Sequence, residues 1–115
     1  MSLRIDTRDE KGILVFTLSG RLTMDCETLL ADRVKMAIDA GARRLLVDLS
    51  GIDYVDSHGL GQMVACHTLF ASVGGEVRFA GASTRLRRLL EMTRLPRVLE
   101  VDRDVGTSLA QLRRS

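Results

Sequence analysis

A chain of 115 residues with 45% hydrophobic residues is long enough for one domain that buries its own core, and too short for two. Its formal net charge is only +2 and it has one Tyr and three Phe, so it lacks the basic stripe with aromatic platforms that nucleic-acid surfaces use. No stretch reaches the roughly 18 apolar residues that a membrane span requires, and the N-terminus does not resemble a signal peptide. The sequence therefore predicts a cytoplasmic protein that neither binds nucleic acid directly nor inserts into a membrane.

The N-terminal part of the chain predicts a hairpin, a helix and a strand. Apolar residues alternate with polar ones over residues 3–7, which indicates an edge strand, and residues 9–12 predict a turn. Residues 13–18 are apolar enough for a strand that is buried on both faces. Residues 19–25 are predicted to form a connection in which Thr23 or Asp25 caps a helix that ends at Gly41. A strand is expected over residues 43–49.

The stretch from residue 46 to residue 65 combines a buried strand with the start of a helix. It is predicted to cross a turn at residues 50–51, to resume at residues 54–55, and to reach Asp56 and Ser57 directly before a helical apolar pattern. Asp and Ser can cap the free N–H groups of a helix, so Ser57 is expected to be exposed at this strand–helix connection. Gly59 and Gly61 each cost the helix about 1 kcal/mol relative to Ala, which predicts that bare backbone is needed there for access by a partner.

The rest of the chain alternates helix and strand. The predicted elements are a helix over residues 57–73, a strand over 76–80, a helix over 84–93 capped by Ser83, a peripheral strand over 98–101 and a final amphipathic helix over 104–112. These elements predict an α/β fold in a single domain, residues 1–115. Its sheet is expected to be mixed and four- to five-stranded, with the N-terminal hairpin strand antiparallel, the remainder largely parallel, and about four helices. Ligands of such sheets gather at the carboxyl ends of strands, where Ser57 and the loop of residues 20–25 both fall.

Residues 48–61, with the sequence DLSGIDYVDSHGLG, resemble the STAS-domain family, and specifically the bacterial anti-sigma-factor antagonists. Residues 18–22 look like the second strand and turn of that family, and residues 74–80 and 86–95 look like its later strand and third helix. The resemblance implies that the unphosphorylated protein binds an anti-sigma factor that is also an ATP-dependent serine kinase, and so frees a sigma factor. Phosphorylation of Ser57 would weaken this complex, and a metal-dependent phosphatase of the PP2C type would restore it.

The same resemblance implies a docking surface around Ser57. The matching positions are Asp56, Gly59, Leu60 and Gly61, and the loop that begins at Arg21 is expected to lie beside them. Two positions in this region depart from the family: His58 replaces a small hydroxyl residue, and Thr23, with Asp25 two residues later, stands where Asp is common. Both departures bear on which partner is bound.

Two side chains of this surface have more than one interpretation. Leu60 could serve core packing or docking. His58 could be a solvated residue at the helix start, could tune a phosphate on Ser57, or could contact a partner peculiar to this protein.

Intrinsic catalysis is not expected. The Gly-x-Ser-x-Gly elbow is absent because Val55 lies two residues before Ser57, and no third orienting group is evident. No P-loop occurs, and Gly59 and Gly61 lack the third glycine of a dinucleotide loop. Cys26 and Cys66 have no metal-ligand spacing and are expected to be reduced, part-buried thiols. The sequence therefore predicts neither an enzyme nor a bound metal or cofactor.

One alternative function is a STAS domain that does not cycle phosphate. Such a domain would serve as a fixed adaptor subunit of a lipid-transporting ABC system, an anion transporter or a stress-signalling complex. The sequence also leaves open a weak homodimer.

Overall fold

The computed structural model describes residues 3–24, 29–93 and 99–114. Within these ranges the chain forms five strands and four helices. In chain order they are β1 (Leu3–Glu10), β2 (Ile13–Leu22), α1 (Leu29–Asp39), β3 (Arg44–Val55), α2 (Ser57–Ser72), β4 (Glu76–Ala80), α3 (Thr84–Thr93), β5 (Glu100–Asp102) and α4 (Val105–Arg113).

The strands form one sheet in the order β1-β2-β3-β4-β5. β1 pairs with β2 antiparallel through a two-residue turn at Lys11 and Gly12, whose φ angles of 53° and 91° suit a tight hairpin. The pairs β2–β3, β3–β4 and β4–β5 are all parallel. The predicted mixed α/β sheet with an antiparallel N-terminal strand is therefore confirmed.

The sheet separates two apolar layers, because successive residues of a strand point to opposite faces. On one face, β2, β3 and β4 pack with α1, α2 and α3 in the main core, where Leu18, Val47 and Phe70 are fully buried. On the other face, α4 covers a smaller cluster that includes Ile13 and Leu46. No helix among the described residues has both the length and the apolar character that crossing a bilayer requires.

Three strands are longer than the sequence predicted, and β1 runs to Glu10, into the predicted turn. Residues 19–22, expected to be a connection, belong to β2, and residues 50–51, expected to be a turn, lie inside β3. Thr17 lies opposite Asp48 and Ser19 opposite Gly51, so β3 has one extra residue between these pairs. A second extra residue of β3 follows the pair of Gly20 and Ile52. These bulges bend β3 without ending it, because pairing to β2 resumes after each one.

The predicted cap at Ser83 is confirmed, and Asp104, predicted only as the start of the last helix, caps α4. Ser83 Oγ accepts a hydrogen bond from the Leu86 N–H at 3.1 Å, and Asp104 accepts one from the Thr107 N–H at 2.8 Å. The outer strand begins at Glu100, later than predicted, and residue 98 lies outside the described residues. Asp25 and Cys26 also lie outside the described residues, so the cap at Asp25 stays a prediction.

Candidate partner-binding site

Ser57 is the first residue of α2, and its side chain is exposed. The residue before it, Asp56, is the N-cap: it has extended backbone, and its Oδ1 accepts a hydrogen bond from the Gly59 N–H at 2.9 Å. The prediction that Ser57 is exposed where a strand passes into a helix is therefore confirmed. Because Asp56 performs the capping, the Ser57 hydroxyl is not needed for that role.

Asp56 also joins the two segments that surround Ser57. Its Oδ2 accepts a hydrogen bond from the Met24 N–H at 3.1 Å, and its own N–H donates to the Leu22 carbonyl at 3.3 Å. The Gly59 N–H is the main reason that the pKa of Asp56 lies below its ordinary value; partial burial opposes this shift, and the Met24 N–H adds to it. The carboxylate is therefore ionised at neutral pH and holds the end of β2 against the head of α2.

The two glycines of the site have different roles. Gly59 is buried, and a Cβ on it would collide with the Leu22 carbonyl oxygen and lie 2.9 Å from Val55 Cγ1. The prediction that Gly59 leaves backbone open to a partner is therefore wrong: this glycine lets α2 approach β2 closely. Gly61 is exposed, and a Cβ on it would meet nothing within 4 Å, so its backbone is open to a partner.

Thr23 does not lie on the surface, contrary to the prediction that it contacts a partner. Its side chain is only 5% exposed, because it continues the buried end of β2 beneath α2. Above it is Gln62, which is 7% exposed and donates from Nε2 to the Thr23 carbonyl at 3.5 Å. Among the described residues, Thr23 Oγ1 has no hydrogen-bond partner, so Thr23 does not cap α1.

The sequence reasoning missed Gln62. A signal was present, because it lies three residues after Gly59 and directly before Met63, on the buried side of α2. A polar residue on such a face is noteworthy because burial requires it to find hydrogen bonds.

The remaining predicted contact residues lie at the surface in different ways. His58 is exposed, while Leu60 is partly buried and packs against the main core. The packing interpretation of Leu60 is therefore supported, and its remaining exposure leaves docking as a prediction. Arg21 is exposed and lies over the Tyr54 ring, with 5.0 Å from its guanidinium carbon to the ring centroid. The sequence reasoning placed Tyr54 where the stretch resumes after the predicted turn but did not select it as a contact residue.

The described residues contain no group of three or more His, Cys, Asp or Glu side chains placed to hold a metal ion. Cys66 is fully buried in α2, which differs from the predicted part-buried thiol. Burial raises the pKa of the Cys66 thiol to about 12, because the apolar surroundings disfavour the thiolate.

Comparison with known proteins identifies the family. Residues 4–108 match the STAS domain, and the chain belongs to the STAS domain family. The chain is 30% identical over 96 residues to an anti-sigma F factor antagonist of Paenibacillus polymyxa, a match that covers 79% of each protein. The crystal structure of an anti-sigma factor antagonist from Mycobacterium paratuberculosis superposes with a TM-score of 0.88 at 20% identity, covering 97% of this chain and 95% of that one. The structure of the Bacillus cell fate determinant SpoIIAA in its phosphorylated form superposes with a TM-score of 0.70 at 16% identity, covering 94% and 98%.

Proposed function

We propose that this protein is an anti-sigma factor antagonist that is switched by phosphorylation of Ser57. The unphosphorylated form binds an anti-sigma factor that is also a serine kinase, and this binding releases a sigma factor. The observation that carries the proposal is that Ser57 is exposed at the start of α2 and that Asp56, not Ser57, caps this helix. The 30% identity to an anti-sigma F factor antagonist supports the same function.

The position of Ser57 allows phosphorylation without disruption of the fold. A phosphoserine carries roughly −1.5 to −2 charges at pH 7. At a helix N-terminus such a charge is stabilised by about 0.3–1 kcal/mol through the helix dipole and the free N–H groups. The neighbouring Asp56 carboxylate opposes this gain, but its oxygens already accept the Gly59 and Met24 N–H groups. The two effects partly cancel, so the stability of the folded domain should change little.

The effect of the phosphate therefore falls on the interface. An anion placed against a partly desolvated partner surface can cost several kcal/mol, and each 1.4 kcal/mol is a tenfold change in affinity. Arg21, Asp56, His58, Leu60 and Gly61 are proposed to contact the partner around Ser57. Thr23 and Gly59 are proposed to act from beneath, by fixing the position of α2.

The proposal includes a phosphatase of the PP2C type that removes the phosphate and restores binding. It also implies a cytoplasmic location, because a sigma factor acts there. The protein itself is proposed to have no catalytic activity in this cycle: the kinase and the phosphatase supply the chemistry.

The test uses the anti-sigma factor kinase encoded in the same genome, with radiolabelled ATP. Wild-type protein should be labelled once, and Ser57→Ala should abolish labelling while it retains binding. Ser57→Asp should lose binding, and its melting temperature should stay close to that of wild type. Ser72→Ala is the matched control, because Ser72 is an exposed serine at the other end of α2 and should be dispensable.

Two results would contradict the proposal. Labelling that persists in Ser57→Ala would show that another residue is the phosphorylation site. Absence of labelling, together with equal binding by wild type, Ser57→Ala and Ser57→Asp, would favour the fixed adaptor function instead.

A further inference from the structure

A cavity of about 620 Å³ lies between the end of β3 and α3, and its lining reaches Val55, two residues before Ser57. One wall is formed by residues 52–55, which lead directly into Asp56 and Ser57, and the other by residues 83–86, 88, 89 and 92. Its volume is within the range of cavities that accept a ligand or an anchoring side chain. Neither the phosphorylation of Ser57 nor the fold itself requires this cavity.

The α3 wall of the cavity is an amphipathic stripe. Arg85, Arg88, Leu89 and Met92 follow the spacing i, i+3, i+4 and i+7, which places them on one side of the helix. Met92 is 82% exposed, and Tyr54 on the facing wall is 46% exposed. Single exposed apolar residues are ordinary on protein surfaces, but here two of them border the same cavity.

The rim of the cavity carries unpaired positive charge. Arg85 and Arg88 are both exposed, and within the described ranges neither forms an ion pair or a side-chain hydrogen bond. Asp53 is the one carboxylate among the described residues of the walls, and it pairs with neither arginine. A complementary occupant would therefore bring apolar surface for the cavity and carboxylates for the two guanidinium groups.

The cavity lies within reach of a protein that covers Ser57. Tyr54 precedes Ser57 by three residues, which at about 3.3 Å per residue places it within roughly 10 Å. An ordinary interface buries about 800 Å² on each side, which corresponds to a disc of roughly 16 Å radius. A partner centred on Ser57 is therefore large enough to reach the cavity wall at Tyr54.

We infer that this cavity is a docking site for an acidic amphipathic segment of the anti-sigma factor kinase, with an apolar side chain between Tyr54 and Met92 and carboxylates on Arg85 and Arg88. This inference rests on the proposed function and adds to it a second contact that does not involve the phosphorylated residue. The Ser57 surface supplies the switch, and the cavity supplies affinity and selects kinases that carry acidic residues at this place.

The test is a binding experiment with the purified kinase at low and high salt. The double variant Arg85→Glu/Arg88→Glu should weaken binding at least about tenfold at low salt, since both attractions become repulsions, and should reduce the salt dependence. Arg87→Glu is the control, matched in charge to each single variant Arg85→Glu and Arg88→Glu; Arg87 lies on the same helix but not on the cavity wall, and its change should alter affinity less than about threefold. Melting temperatures establish that each variant is folded.

A second variant tests the same cavity through an exposed apolar residue, where a substitution does not disturb folding. Met92→Glu places a carboxylate at the apolar lip in a side chain that is 82% exposed, so the core is unaffected, and it should also weaken binding about tenfold.

The outcomes separate this inference from the proposed function. If the cavity variants bind like wild type while Ser57→Asp loses binding, the docking site is wrong and the phosphorylation switch stands. If Arg87→Glu weakens binding as much as the double variant, the loss of affinity comes from the overall charge of the protein and not from the cavity, and the docking site is also wrong. If wild-type protein does not bind the kinase at all, both proposals are wrong.

Discussion

Gly59→Ala should destabilise the protein even though Ala is the better helix former. The added Cβ would collide with the Leu22 carbonyl oxygen and lie 2.9 Å from both the Leu22 carbonyl carbon and Val55 Cγ1, where carbon atoms normally stay 3.5–4.0 Å apart. Overpacking of this kind costs about 1–3 kcal/mol, and the upper end applies because backbone atoms cannot rotate away. Subtracting the helix-propensity gain of about 1 kcal/mol leaves a net loss of about 2 kcal/mol.

Gly61→Ala is the matched control, because it makes the same chemical change two residues later in the same helix. Gly61 is exposed, and a Cβ there meets nothing within 4 Å, so only the gain in propensity and the reduced freedom of the unfolded chain remain. Its stability should rise by about 0.5–1 kcal/mol. The two substitutions are therefore expected to have opposite signs.

The assay is urea unfolding at pH 7, with thermal melting as a second measurement. At this chain length 1 kcal/mol shifts the melting temperature by about 3–6 °C, so Gly59→Ala should lower it by about 6–12 °C and Gly61→Ala should raise it by about 2–6 °C. The slope of the free energy against urea should stay constant, since the area exposed on unfolding hardly changes. If both variants are stabilised equally, the close approach of α2 to the Leu22 carbonyl is wrong, and with it the structural reason for Gly59.

Three further predictions concern charged and thiol groups. Asp102 accepts two hydrogen bonds from Arg78, at 2.7 and 3.0 Å, and these bonds are the main reason that the pKa of Asp102 is lowered. Asp102→Ala should therefore reduce the free energy of unfolding, measured with urea at pH 7, by about 2 kcal/mol. The ionised carboxylate stabilises the fold fully at pH values above the pKa of aspartate in the unfolded chain, which is near 4. The destabilisation by Asp102→Ala should therefore shrink as the pH falls through the lowered pKa of the folded state. A destabilisation that is the same at pH 3 as at pH 7 would contradict the ion pair. Asp56→Ala should lower the melting temperature at pH 7, and this difference from wild type should also shrink as the pH falls, because the pKa of Asp56 is lowered as well. Scanning calorimetry from pH 7 to pH 2 measures the difference. In a Cys26→Ser background, Cys66 should react with a thiol reagent at pH 8 about three orders of magnitude more slowly than free cysteine, because its pKa is raised to about 12; rapid labelling of the folded protein would show that this side chain is not buried.

The local sequence pattern was sufficient for the starts of α2 and α3 and for the first hairpin. The caps at Asp56 and Ser83 and the turn at Lys11 and Gly12 all depend on residues that are neighbours in the chain. Ser57 could be located for the same reason, since a cap followed by a helical apolar pattern is visible within a few residues. The alternation of helix and strand after the hairpin then restricted the sheet to a mixed, largely parallel one.

The C-terminal ends of β2 and β3 could not be read from the sequence, whereas β4 has the predicted bounds. β2 and β3 continue past their predicted ends because each supplies the other's hydrogen bonds across two bulges, and the paired residues lie more than thirty positions apart. The same extension brings Tyr54 beneath Arg21 and creates the wall that faces α3. A pattern that records only neighbouring residues contains no information about such a distant partner.

The sequence by itself therefore determined which segments are helices or strands and which hydroxyl stands at the head of α2. The tertiary structure decided what surrounds that hydroxyl: Gly59 is buried against the Leu22 carbonyl, Thr23 lies beneath Gln62, and a cavity bordered by two exposed arginines opens between the end of β3 and α3. The physical reason is that capping and periodicity are local interactions, whereas burial, close approach and the shape of a cavity depend on segments that only the folded chain brings together.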